Sequence, residues 1–178
     1  MIPRETAKEE IEMKKLSLVT VCVFCLFWLV GGAFAATATQ DLTVNATVAA
    51  TAKLTISPTT ISFPDADPDV TNPIPATGGA VTVTVKAKTG SSSSVTLTHK
   101  AADDLKDVAK TIPISNVTWT AAGAGYVAGT MNKTTGQAVG TWTGSGTYPG
   151  TLTFTLVNDW AYETGSYSAL TTFTLTAP

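Results

Sequence analysis

Val81-Thr82-Val83-Thr84-Val85, Val95-Thr96-Leu97-Thr98 and Thr151-Leu152-Thr153-Phe154-Thr155-Leu156 each alternate an apolar residue with threonine. In an extended chain successive side chains point to opposite faces, so each stretch has one dry side and one wet side. Threonine suits the wet side: it is β-branched, stiff at χ1 and at home on a pleated surface. From Ala36 onward, 32 of 143 residues are threonine. This texture predicts an all-β protein built of antiparallel sheets that bury one face each.

Working outward from these stretches, the spacing predicts eight or nine short strands with turn residues between them, the pattern of an immunoglobulin-like antiparallel β-sandwich. Leu42, Val44, Ala46, Val48, Ala50, Ala52, Leu54 and Ile56 all fall on even positions before Pro58. One strand of that length would span roughly 50 Å, so the run divides into residues 39–48 and 50–57, with Ala49, Ala50 and Ala52 at the soft point. Residues 61–63 read as a short edge strand ahead of a Pro- and Asp-rich loop. Strands follow at 80–88 and 95–99. Residues 101–110 are the one helical candidate, with Asp103 and Asp104 in its first turn. The phase slips between Ile114 and Val117, which places a bulge near Ser115-Asn116. Residues 126–131 and 137–143 read as a hairpin around residues 132–136. Residues 144–150 read as a turn, 151–157 as a core strand and 167–176 as the last strand.

The N-terminus differs in kind. Lys14 and Lys15 precede an apolar run from Leu18 to Val30, and Ala33-Phe34-Ala35 follows. That order is a secretory signal peptide over residues 1–35, with Met13 as an alternative start and cleavage after Ala35 or Ala38. The run falls short of the about 20 residues of a membrane span, so an uncleaved anchor is the second reading. The expected division is therefore a signal peptide at 1–35, an extended segment at 36–49 and a sandwich domain at 50–178. A secreted chain at the cell surface or outside it, reached through the periplasm, follows.

Both cysteines, Cys22 and Cys25, lie in the signal region, so the exported part has no disulfide and no thiol chemistry. Beyond Ala35 there are seven lysines, no arginine and nine acidic residues, a net charge of −2. No basic stripe addresses nucleic acid. No acid/base constellation for an enzyme is visible, and no cofactor is expected. His99 is the one histidine and is expected in solvent at a strand end. Asp65, Asp67 and Asp69 have alternate spacing that could ligate calcium, but Val70 and Ala76 break the EF-hand pattern. Trp119 and Trp142 are in phase with core residues, whereas Trp160 and Tyr162 follow a strand end and are candidates for a sugar-facing surface. Asn45, Asn116 and Asn132 begin N-x-Thr sequons of the kind chance supplies in a threonine-rich chain.

Two regions resemble the secreted pilins of chaperone–usher systems, in particular the spore coat protein U type. One is Leu42-Thr43-Val44-Asn45-Ala46-Thr47-Val48 with Leu54-Thr55-Ile56-Ser57 and Ile61-Ser62-Phe63. The other is Gly165-Ser166-Tyr167 through Phe173-Thr174-Leu175. The cysteine usual in that family's first core strand has no counterpart here. The resemblance implies a non-catalytic structural subunit of a fibre, pilus or coat. Its partners would be copies of itself or related subunits, with a periplasmic chaperone and an outer-membrane usher.

The physics is independent of the resemblance. A sandwich short of one strand exposes a groove and unpaired backbone groups, which a neighbour's strand can fill. Leu42, Val44, Ala46 and Val48 have the alternation a donor strand needs, and Tyr167, Phe173 and Leu175 mark the closing strand it would join. The same segment could instead be the domain's own first strand. A secreted carbohydrate-binding or adhesin-like module is the alternative function.

Overall fold

The computed structural model describes residues 37–178. The expected signal peptide and its cleavage after Ala35 lie outside the described residues. Contacts divide the chain into a unit ending at Asn45 and a second running from Ala46 to Pro178.

The second unit is all-β. Its strands are β1 (Thr51–Ser57), β2 (Ile74–Pro75), β3 (Val81–Lys88), β4 (Ser94–Ala101), β5 (Leu105–Asp107), β6 (Lys110–Ile112), β7 (Val117–Ala122), β8 (Gly129–Thr130), β9 (Gln137–Thr143), β10 (Gly146–Leu156) and β11 (Thr171–Thr176). The first sheet has the order β1-β3-β10-β7-β8, with β2 also on β10; the second has the order β11-β4-β9; β5 and β6 form a separate hairpin. All pairings are antiparallel.

The two sheets share one core. Val81, Val83, Val85 and Ala87 of β3 and Leu152, Phe154 and Leu156 of β10 face Val95 and Leu97 of β4 and Val139 and Trp142 of β9. The alternating threonines point away from it, as the pattern predicts: β3 alternates buried and outward residues along its whole length. β9 carries an extra residue between its pairings with Leu97 and Thr98. That bulge lets both Val139 and Gly140 lie inside. With no cysteine in the domain, stability rests on this buried area, each fully buried Val, Leu or Phe contributing about 1.5–3 kcal/mol.

Five expectations are corrected. Residues 101–110 form no helix. The Asp103 and Asp104 carboxylates accept backbone N–H bonds from Asp104 and Ile114, a local alternative that competes with helix formation. Val108, at φ 49°, then turns the β5–β6 hairpin. Residues 61–63 make no strand, although Ile61 and Phe63 pack on the core. The 126–143 hairpin is mostly an arch: β8 pairs with β7 and β9 with β4, leaving one bridge, Tyr126 to Gly140. Residues 146–150 belong to β10 rather than to a turn, because Gly150 provides the flat backbone on which the Tyr126 ring lies. The last strand begins at Thr171, not at 167. The phase slip at Ser115-Asn116 is real, and its form is a 3₁₀ turn (Ile114–Asn116) that separates β6 from β7.

Trp119 shows how tightly this core is set. Its indole N–H donates to the Val127 carbonyl at 2.9 Å, which locks the ring over Gly129. A Cβ at Gly129 would fall inside van der Waals contact with three ring atoms. Gly129→Ala is therefore expected to cost about 1–3 kcal/mol by overpacking. Chemical denaturation should show a lower midpoint with an unchanged slope.

Candidate docking edge

The sandwich has two edges built from the ends of the domain. Among the described residues β1 pairs only with β3, and β11 only with β4. Their inward side chains, Leu54 and Ile56 on β1 and Phe173 and Leu175 on β11, are only half-buried. The inward valines of β3, flanked by strands on both sides, are fully buried. The difference marks a seam where the core is not closed.

The two edges differ in chemistry. β1 carries Lys53, and charge on an edge strand discourages further pairing. β11 reads Thr171-Thr172-Phe173-Thr174-Leu175-Thr176, with no charge, proline or bulge. It is therefore an unprotected edge, able to accept another strand. Tyr167, expected to line it, precedes it. The Tyr167 hydroxyl donates to the Glu163 carbonyl at 2.7 Å, and neighbouring Ser168 bridges to Lys106.

Residues 37–50 form no regular secondary structure, and every one is exposed. Leu42, Val44 and Val48 are 87%, 83% and 71% exposed. Among the described residues this segment is thus not a strand of the sandwich.

Beneath β11 lies His99. It sits on β4 directly opposite Phe173, their rings stacked with centroids 3.8 Å apart and 9° between planes. Trp119 and Phe154 approach it edge-on from the other sheet. The expectation of a solvent position is wrong: His99 is 2% exposed, because it continues the inward series Val95, Leu97, His99, Ala101. Neither ring nitrogen has a hydrogen-bond partner. Burial lowers its pKa from 6.5 to about 4, so the ring is neutral and serves as an aromatic spacer under Phe173.

The other candidates lie elsewhere. Asp67 accepts the Asp69 N–H at 2.9 Å as a turn, and among the described residues no three metal-ligating side chains converge. Asp65, Asp67 and Asp69 thus shape a loop. That loop is held by Asn158, whose amide donates to the Ala66 and Thr71 carbonyls at 3.0 and 3.1 Å and whose N–H donates to Asn72 Oδ1 at 3.0 Å. Sequence reasoning missed this residue, because a lone asparagine after a strand carries no local signal. Trp160 is 69% exposed, with its indole N–H on Asp69 Oδ1 at 3.1 Å. Tyr162 is half-buried and accepts a bond from Asn116, so the two aromatics do not form a paired platform. Trp119 and Trp142 are core, as expected.

The buried histidine makes stability depend on pH. The folded state resists protonation that the unfolded chain accepts near pH 6.5. The His99 contribution is therefore complete above that pH, declines as pH falls, and is gone below about 4. The full loss is about 3 kcal/mol. His99→Phe should flatten this part of the curve of unfolding free energy against pH, and an unchanged slope between the two chains would contradict it.

Compared with known protein families and with curated proteins, the sequence matches none.

Proposed function

We propose that this chain is a non-catalytic structural subunit of a secreted cell-surface fibre, pilus or coat, assembled by β-strand addition. The observation that carries the reading is a pair: an alternating segment exposed along its length, and an unprotected edge with half-buried apolar residues that, among the described residues, has no strand beside it. Each has what the other lacks.

The strand order supports an immunoglobulin-like frame. An immunoglobulin sandwich has strands A-B-E-D in one sheet and C, F and G in the other. β1-β3-β10-β7 matches A-B-E-D, β4 C and β11 F, while β9, on the far side of β4, has no counterpart in that seven-strand frame. No described strand occupies the place of G. A segment from a neighbouring copy, laid along β11, would supply it, dropping Leu42, Val44, Ala46 and Val48 over the seam between Leu54, Ile56, Phe173 and Leu175. Each Leu or Val so buried contributes about 1.5–3 kcal/mol, and the new ladder satisfies the open N–H and C=O groups of β11. The contact is head-to-tail, so it propagates instead of closing. Export through the periplasm would call for a chaperone to cover the edge until a subunit arrives, and for an usher at the outer membrane.

The exposed Trp160 favours a second reading, a carbohydrate-binding or adhesin-like module, in which the indole face would stack on a sugar ring. Quenching or shift of tryptophan fluorescence by glycans, lost in Trp160→Phe, is the result that reading requires.

Strand addition predicts that deleting residues 39–48 abolishes polymers while the remaining sandwich keeps its cooperative unfolding transition. A synthetic peptide of residues 39–48 should then bind the shortened chain and raise its midpoint. Peptides with Val44→Asp or Val48→Asp should bind at least tenfold more weakly, since burying an unpaired charge is strongly opposed. Polymers that persist after the deletion would rule the reading out.

A further inference from the structure

Three of the sandwich's seven lysines, Lys53, Lys86 and Lys88, gather at one end. Thr51, the start of β1, pairs with Lys88, the last residue of β3, and Lys53 lies directly opposite Lys86. Like charges facing each other across strands destabilise a sheet, and among the described residues none of these three lysines has an ion pair. The same end holds the turn at Gly144-Ser145 and the chain terminus, where the Thr89 hydroxyl donates to the Pro178 carbonyl. No acidic residue occurs in these turns.

The opposite end begins where β10 stops at Leu156. There Asn158 gathers the 66–72 loop beside Asp159 and Trp160. Val70 is 80% exposed next to Asp69, which anchors the exposed Trp160. Asp65, Asp67, Asp69 and Asp159 have no ion pair among the described residues. Asp103 and Asp104 pair with Lys106 and Lys133, and Glu163 with Lys110. Two exposed apolar side chains, Val70 and Trp160, thus lie among carboxylates that have no ion pair among the described residues.

We propose that the lysine end of one subunit, Lys53, Lys86 and Lys88, docks on the Trp160 end of the next, against Asp65, Asp67, Asp69 and Asp159. The inference rests on the strand-addition reading and adds a second contact to it. β11 runs from the Trp160 end toward the Pro178 end. A strand added to it in the more stable antiparallel sense runs the other way, so its Val48 emerges at the acceptor's Trp160 end. Only Ala49 and Ala50 separate Val48 from Thr51, a tether of about 11 Å at full extension. The donor's lysine end is therefore delivered to the acceptor's acidic end, across a tether only a little longer than the about 8 Å Debye length at physiological salt. A lysine there can also sit over the fixed Trp160 ring.

The test follows polymer growth of the exported chain by light scattering at low and high salt. The variants are Lys53→Glu/Lys86→Glu/Lys88→Glu, Asp65→Lys/Asp69→Lys, and a chain carrying both sets. Each set alone should slow growth about tenfold at low salt and weaken its salt dependence; the combined chain, with polarity exchanged, should recover. Single-end variants that grow at the parent rate with the parent salt dependence overturn the proposal, as does a combined chain no faster than either. Binding of a labelled peptide of residues 39–48 to all four chains separates the two ideas. Equal binding with charge-independent growth removes only the end-to-end contact, whereas no binding to any chain removes strand addition itself.

Discussion

Everything in this domain is registered on β3. It is the strand that pairs with β1 on one side and β10 on the other, and its Val81, Val83 and Val85 form the floor of the core. With no cysteine in the domain, no disulfide holds the sheets, and the inward side chains fix their spacing. The period of two leaves no freedom, because a slip by one residue would bury the threonines and expose the valines. The seam at β1 and β11 follows from the same constraint. A strand at the margin can bury its inward side chains only if something lies beyond it, and among the described residues nothing does.

Second in importance is the aromatic packing that spans the sheets. Tyr126 places its hydroxyl 3.1 Å from the Val83 carbonyl and 2.9 Å from the Tyr148 carbonyl, while Trp142 lies against both tyrosine rings. Burial pushes the Tyr126 phenol up to about 12, so it remains a donor at any physiological pH. These rings rest on glycine backbone, as at Gly150, which is how a sheet with few large aliphatic residues fills its interior.

The strands of β3, β4 and β10 were legible in the sequence because a strict apolar–threonine alternation admits one structural reading. The open edge was not legible, since it depends on which strands are neighbours, and long-range pairing leaves no local trace. Residues 39–48 have the alternation of a strand but form none among the described residues, since a strand needs a partner that local sequence does not name. Gly146 and Gly150 misled because a glycine that makes room for a ring looks identical to one that makes a turn. His99 misled because polarity suggested solvent, whereas its position in the inward series Val95, Leu97, His99 was the better guide. Asp103 and Asp104 suggested a helix start and instead tie down a hairpin through side-chain bonds to Asp104 and Ile114.

The Asn158 latch has a consequence for durability. A long loop rich in proline and aspartate, set at one end of the sandwich, would ordinarily be the first segment a protease nicks. Three hydrogen bonds from one side chain and its backbone close that loop on itself and hold its peptide groups away from the extended conformation that cleavage requires. A single amide thus ties down the longest irregular stretch of the sandwich.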